Sequence, residues 1–224
     1  MFLAFAALSA CSSAATPTPT PDPNVVRLVA SQDATLYEDP DGALASSAGA
    51  TGFVGITNRA LARRMLVKFD LSSLPADREI VSATLQMRMS KSASGAFDVS
   101  LHRVTTDWAE STSAASGMGG KGIDSANGDP TWIHAAYPDA WWHAVGGDFV
   151  AEPSAVTSVD NFVRYSWSDP GMVSDIAAWI SGDSVNNGWL VIGDEAHHKT
   201  AKRFDAREHE NPDRRPALMI EFAP

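Results

Sequence analysis

Beyond its first dozen residues the chain has no apolar run approaching the ~20 residues that a membrane-crossing helix requires. Basic residues are also scarce, with 17 Lys and Arg against 27 Asp and Glu in 224 residues. That balance sets nucleic acid aside as a partner, because phosphate binding needs a basic footprint. Catalytic signatures are missing as well. There is no Gly-x-Ser-x-Gly elbow and no His-Glu-x-x-His. Gly117-Met118-Gly119-Gly120-Lys121-Gly122 has glycines and a lysine, but neither the spacing nor the hydroxyl of a phosphate loop, and it reads as a flexible loop. His197 and His198 are adjacent and would point to opposite faces of a strand, so they are poor joint ligands. Carboxylate pairs such as Asp107 with Glu110, or Asp205 with Glu208, occur in any acidic chain, and spacing alone selects none of them. No enzymatic activity and no organic cofactor are expected.

What is present begins at the N-terminus. Phe2 to Leu8 is an apolar stretch, and Leu8-Ser9-Ala10-Cys11 ends on the only cysteine. This resembles a bacterial lipoprotein signal, in which the cysteine becomes the first mature residue and carries the acyl chains. The resemblance implies an exported protein anchored at the cell envelope by a lipid on Cys11 and touching the membrane only through that lipid. The segment departs from a secretory signal in lacking a Lys or Arg before the apolar stretch. Residues 1–10 are then the signal peptide and 11–24 a linker, in which Thr16-Pro17-Thr18-Pro19-Thr20-Pro21 favours an extended polyproline spacer.

From 25 to 224 the dominant period is two. Val81, Ala83, Leu85, Met87 and Met89 alternate with Ser82, Thr84, Gln86, Arg88 and Ser90, the pattern of a half-buried antiparallel strand. Similar alternation runs through Met65 to Leu71, Phe97 to Leu101, Val163 to Trp167 and Leu218 to Phe222, with further strands over 25–31 and 34–38. Trp189 to Ile192 is apolar on both faces and reads as a central strand. One helix interrupts the pattern: Met172, Val173, Ile176, Trp179 and Ile180 form a stripe between Asp169-Pro170-Gly171 and Gly182-Asp183. About eight to ten strands and one short helix predict an all-β protein, a single β-sandwich of jelly-roll-like topology. The stretch from about Ala109 to Phe162 is irregular but rich in aromatics, so something must pack against it.

Several segments taken in order resemble the DNRLRE domain family of exported proteins, which is related to disaggregatase repeats. They are Asp33-Ala34-Thr35-Leu36-Tyr37-Glu38, Arg64-Met65-Leu66-Val67-Lys68-Phe69-Asp70-Leu71-Ser72, Ile80 to Leu85, His102-Arg103-Val104 through Trp108, Asn186 to Leu190 and Arg203 to Glu208. The resemblance implies a surface module rather than a catalyst. Some relatives are carbohydrate-binding modules, including ones appended to alginate-degrading enzymes. Polysaccharide or an envelope protein is the expected partner.

Candidate contacts follow from chemistry. Aromatic rings cover the C–H face of a pyranose, which points to Trp132, Tyr137, Trp141 and Trp142; the competing reading is a satellite core beneath the long loop. By period two Arg203, Asp205 and Arg207 share a face. The arginines could clamp uronate carboxylates in a bidentate way, or the row could close an internal ion-pair network. Structural calcium is a further reading, with Asp124, Asp129 and Asp148 in glycine-rich loops as ligands, against the plainer reading of ordinary turns.

Overall fold

The computed structural model describes residues 22–224; the lipobox with Cys11 and the Thr-Pro segment 16–21 lie outside the described residues. The chain runs through β1 (Val25–Val29), β2 (Gln32–Tyr37), β3 (Leu44–Ser46), β4 (Thr51–Ile56), β5 (Ala62–Lys68), β6 (Ile80–Ser92) and β7 (Phe97–Arg103). The irregular stretch then carries only the short β8 (Ile123–Asp124), β9 (His134–Ala136) and β10 (Ala140–Trp141), before β11 (Ala155–Val159) and β12 (Arg164–Trp167). Helix α1 (Pro170–Ser181), β13 (Trp189–Ile192), β14 (Lys202–Asp205) and β15 (Ala217–Phe222) complete the order.

These strands form the expected β-sandwich. In one layer the long β6 pairs with β15, β12 and β14, while β1 lies on β15 and β4 on β14. In the other, β5 pairs with β2 and β13, β13 with β7, and β7 with β11. The pairing of β1 with β15 and of β6 with β14 and β15 gives the crossovers of a jelly-roll-like topology. Strand β4 belongs to both layers, since Thr51–Val54 pair with β14 and Gly55–Ile56 with β5. The change comes at Gly55, whose φ of 86° an L side chain rarely adopts and where a Cβ would stand 3.1 Å from the Thr200 carbonyl oxygen.

The period-two residues meet between the layers. Ala83, Leu85, Met87 and Met89 of β6, Leu218 and Ile220 of β15 and Phe204 of β14 pack against Met65 and Val67 of β5, Trp189 and Val191 of β13, and Val99 and Leu101 of β7. Helix α1 closes this core with Met172, Ile176 and Trp179, the last edge-on to Trp189 at 4.7 Å. Asp169 caps its start by accepting from Gly171 N–H, and Gly182 ends it at φ 82°.

A second core lies on the outer face of the β2, β5 and β13 layer. There Ala34, Leu36, Leu66 and Leu190 are covered by Trp108, Trp132 and Trp142 from the long stretch. Both faces of β13 are thereby buried, as its continuous apolar run required. Two of the indole N–H groups find partners: Trp108 Nε1 donates to Asn187 O at 2.8 Å and Trp142 Nε1 to Thr131 O at 2.9 Å. This corrects the expectation that Trp132 and Trp142 present their rings to a sugar. They are only 9% and 6% exposed because the outer sheet face needs an apolar cover.

Candidate functional site

The outward face of the β6 layer collects cations on an otherwise acidic chain. Register puts Phe53 of β4 opposite Arg203 of β14, and Arg203 opposite Lys91 of β6, so three side chains from distant parts of the sequence form one row. Between Lys91 and Met89 the register shifts, leaving Ser90 as an extra residue. Ser90 Oγ accepts from Arg203 Nε at 3.0 Å and steers the guanidinium along the face. Arg88 and Arg164 lie opposite each other farther along the same surface.

The glycine-rich loop covers one side of this row. Tyr37 Oη donates to Gly119 O at 2.8 Å, and burial pushes its phenol up to about 12. A Cβ at Gly119, whose φ is 71°, would come within 2.9 Å of Thr51 Oγ1 and 3.1 Å of the Phe53 ring, so the tight approach needs glycine there. The result is a cleft of about 210 Å³ lined by Phe53, Lys91, Met118, Gly120 and Arg203, with Ser92, Ala93 and Ala201 at its edge. Its floor is apolar and its rim carries two cations. Such a surface offers an apolar patch, in which Met118 is far more exposed than Phe53, beside cations that can bind an anionic substituent by charge-assisted hydrogen bonds.

The other expected residues are placed differently. Arg203 lies in the cleft, but β14 ends at Asp205 and Arg207 leaves the face, a correction to the shared row. Its guanidinium is taken up by Glu110, through Nε to Oε2 at 3.1 Å and Nη2 to Oε1 at 2.5 Å, and by Glu208, so it forms an internal network rather than a clamp for ligand. Asp33 joins that network by accepting from Arg207 N–H at 2.7 Å. Asp205 pairs instead with Arg88 at 3.4 Å. Tyr137 is half-buried against His134, whereas Trp141 is exposed.

The three aspartates read as calcium ligands do not converge. Asp129 is buried and accepts from Ser47 Oγ at 2.7 Å and Ala126 N–H at 2.6 Å. Asp148 accepts from Thr106 Oγ1 and from the N–H groups of His143 and Ala144, and these hydrogen bonds hold its carboxyl at about 2 against the opposing effect of burial. Asp124 is exposed on β8, and among the described residues no group of three His, Cys, Asp or Glu is placed to hold a metal ion. The turns use Asp129 and Asp148 to satisfy their own backbone, so the three aspartates do not form one shared site.

Sequence reasoning missed Phe53 and Lys91. Phe53 lies between Gly52 and Gly55, which hide the strand, and only the register reveals its neighbours. A cation-rimmed cleft with an apolar floor on a β-sandwich is a surface that can take a ligand. Residues 26–114 match the model of carbohydrate-binding module family 96, a stretch from β1 to just past β7 that includes Phe53 and Lys91. No curated protein matches the chain.

Proposed function

We propose that this chain is a non-catalytic carbohydrate-binding module that holds an anionic polysaccharide in the Phe53, Lys91 and Arg203 cleft. The observation that carries the reading is the register row itself: two accessible cations beside an apolar floor to which the largely buried Phe53 contributes, in a chain of formal net charge −10. The family match over 26–114 supports sugar as the ligand. The cations select for carboxylate or sulfate groups. The lipobox at Cys11 and the Thr-Pro linker support a place at the cell envelope, where the module would engage surface polysaccharide.

Affinity electrophoresis through gels containing polyuronate tests the site. Wild-type protein should be retarded, and Arg203→Ala and Lys91→Ala should each weaken binding about 10-fold or more, the cost of one charge-assisted contact of roughly 1.5–3 kcal/mol. Added salt should weaken it further. Unchanged retardation of the double variant would remove the cleft from the function. Envelope capture is tested by detergent partitioning of the expressed full chain, which Cys11→Ser should shift to the aqueous phase.

A further inference from the structure

We infer a second, separate sugar subsite on the β9–β10 hairpin, built by Trp141 and His143 and suited to an uncharged pyranose. Trp141 is 62% exposed, while the indoles of Trp142 next to it in sequence and of Trp132 are buried. Trp142 is buried, whereas its two sequence neighbours are exposed, Trp141 at the end of β10 and His143 in the bend that follows. The exposed ring is held in place. It packs on His134 at 4.4 Å, tilted by 54°, and His134 is fixed by the edge of Tyr137 at 5.1 Å and by Thr131 Oγ1, 3.0 Å from its Nδ1. An aromatic platform whose rotamer is already set loses little entropy on binding.

His143 supplies the polar partner. Its side chain is 88% exposed, yet Nδ1 lies 2.8 Å from Oδ2 of the buried Asp148. That carboxylate is itself anchored by Thr106 and by two backbone N–H groups, so it accepts from Nδ1–H and leaves Nε2 directed to solvent. An exposed indole face and one oriented hydrogen-bonding nitrogen two residues along the chain suit a hexose, with its C–H face on the ring and a hydroxyl on the imidazole. The charges beside this platform, Asp139 near His134 and Asp148 behind His143, are carboxylates and disfavour a uronate. A single indole rimmed by polar groups also falls far short of the ~800 Å² per partner that a stable protein interface buries. The hairpin covers the layer opposite the Lys91 and Arg203 face and lies beyond residue 114, so neither the cleft nor the family match accounts for it.

The experiment is affinity electrophoresis of wild type, Trp141→Ala, His143→Ala and the Lys91→Ala/Arg203→Ala double variant. The gels contain mannan, xyloglucan, soluble starch or galactan, with polyuronate gels in parallel. Near-ultraviolet circular dichroism and a melting curve confirm that each variant is folded. At least one neutral polymer should retard the wild type. Binding should weaken 10-fold or more in Trp141→Ala and several-fold in His143→Ala, and should persist in the double variant. Absence of retardation by every neutral polymer, or undiminished binding by Trp141→Ala, overturns the subsite. Self-association that Trp141→Ala abolishes also overturns it, by assigning the indole to a contact between copies. Loss of polyuronate binding alone defeats the cleft and leaves this subsite standing.

Discussion

Substituting Glu208 by Gln should make the protein more stable at alkaline pH and flatten its pH dependence. One guanidinium, Arg207, serves three carboxylates here: Glu110 and Glu208 at its side chain, and Asp33 at its backbone N–H. Burial first, and then the charge of Glu110, push the Glu208 carboxyl from 4.5 to about 7. Burial and the charge of Glu208 likewise hold Asp33 well above its ordinary value. The sign follows from linkage. The folded state keeps protons that the unfolded chain releases above about 4.5, so stability is full below that value and falls as pH rises toward 7. A shift of this size corresponds to roughly 3 kcal/mol for an isolated group, or ~2 once solvent screening of a partly exposed carboxyl is allowed for. Glutamine mimics the protonated form with nearly the same shape. Urea denaturation across about pH 5 to pH 8 should show the wild type losing ~2 kcal/mol over that range, and the variant losing much less. A wild type that gains stability across this range, or a Gln variant weaker than wild type at the alkaline end, would refute the reasoning.

Other perturbations separate structural from exposed aromatics. Trp142→Ala should cost about 3–5 kcal/mol in chemical denaturation by emptying the second core, whereas Trp141→Ala should change stability by less than about 0.5 kcal/mol. Gly188→Ala should destabilise by several kcal/mol on the scale of ~4–5, because its φ is 71° and a Cβ would sit 2.2 Å from the Val67 carbonyl oxygen; thermal melting would detect it. Asp169→Ala should remove the N-cap of α1 and lower stability by about 1 kcal/mol, visible as a shifted urea midpoint.

The layers were legible wherever a strand has one wet face and one dry one. Ala83 to Met89 alternates cleanly because its even-numbered residues face outward and its odd ones fill the main core, whereas Val81 near the start of the strand is exposed rather than buried. The helix was legible because its stripe, its N-terminal Asp-Pro-Gly and its C-terminal Gly agree. Strand β4 escaped notice for a packing reason. A Cβ at Gly52 would lie 2.3 Å from Met65 Sδ, so the core demands glycine where the pattern would place a larger residue. In the irregular stretch no period tells Trp141 from Trp142, and only the fold decides which indole covers Leu66 and Leu190. Arg203 could be proposed from the sequence, but its partners Phe53 and Lys91 lie 150 and 112 positions away and meet it only through strand register. Arg207 was misplaced for a simpler reason: the two-residue period was extended one step past the end of its strand.

Strand β4 is stitched to both layers, and the ring of Phe53 projects from it. The two walls of the sandwich therefore cannot gape or slide past one another without tearing backbone hydrogen bonds beside the cleft. If the cleft holds polysaccharide as proposed, its sheet-borne floor meets the ligand already formed, and selectivity would come from how well an incoming polymer matches a fixed spacing of apolar floor and cations. A flexible polymer that can adjust its own torsions to that spacing would then have an advantage over a stiff one of the wrong pitch.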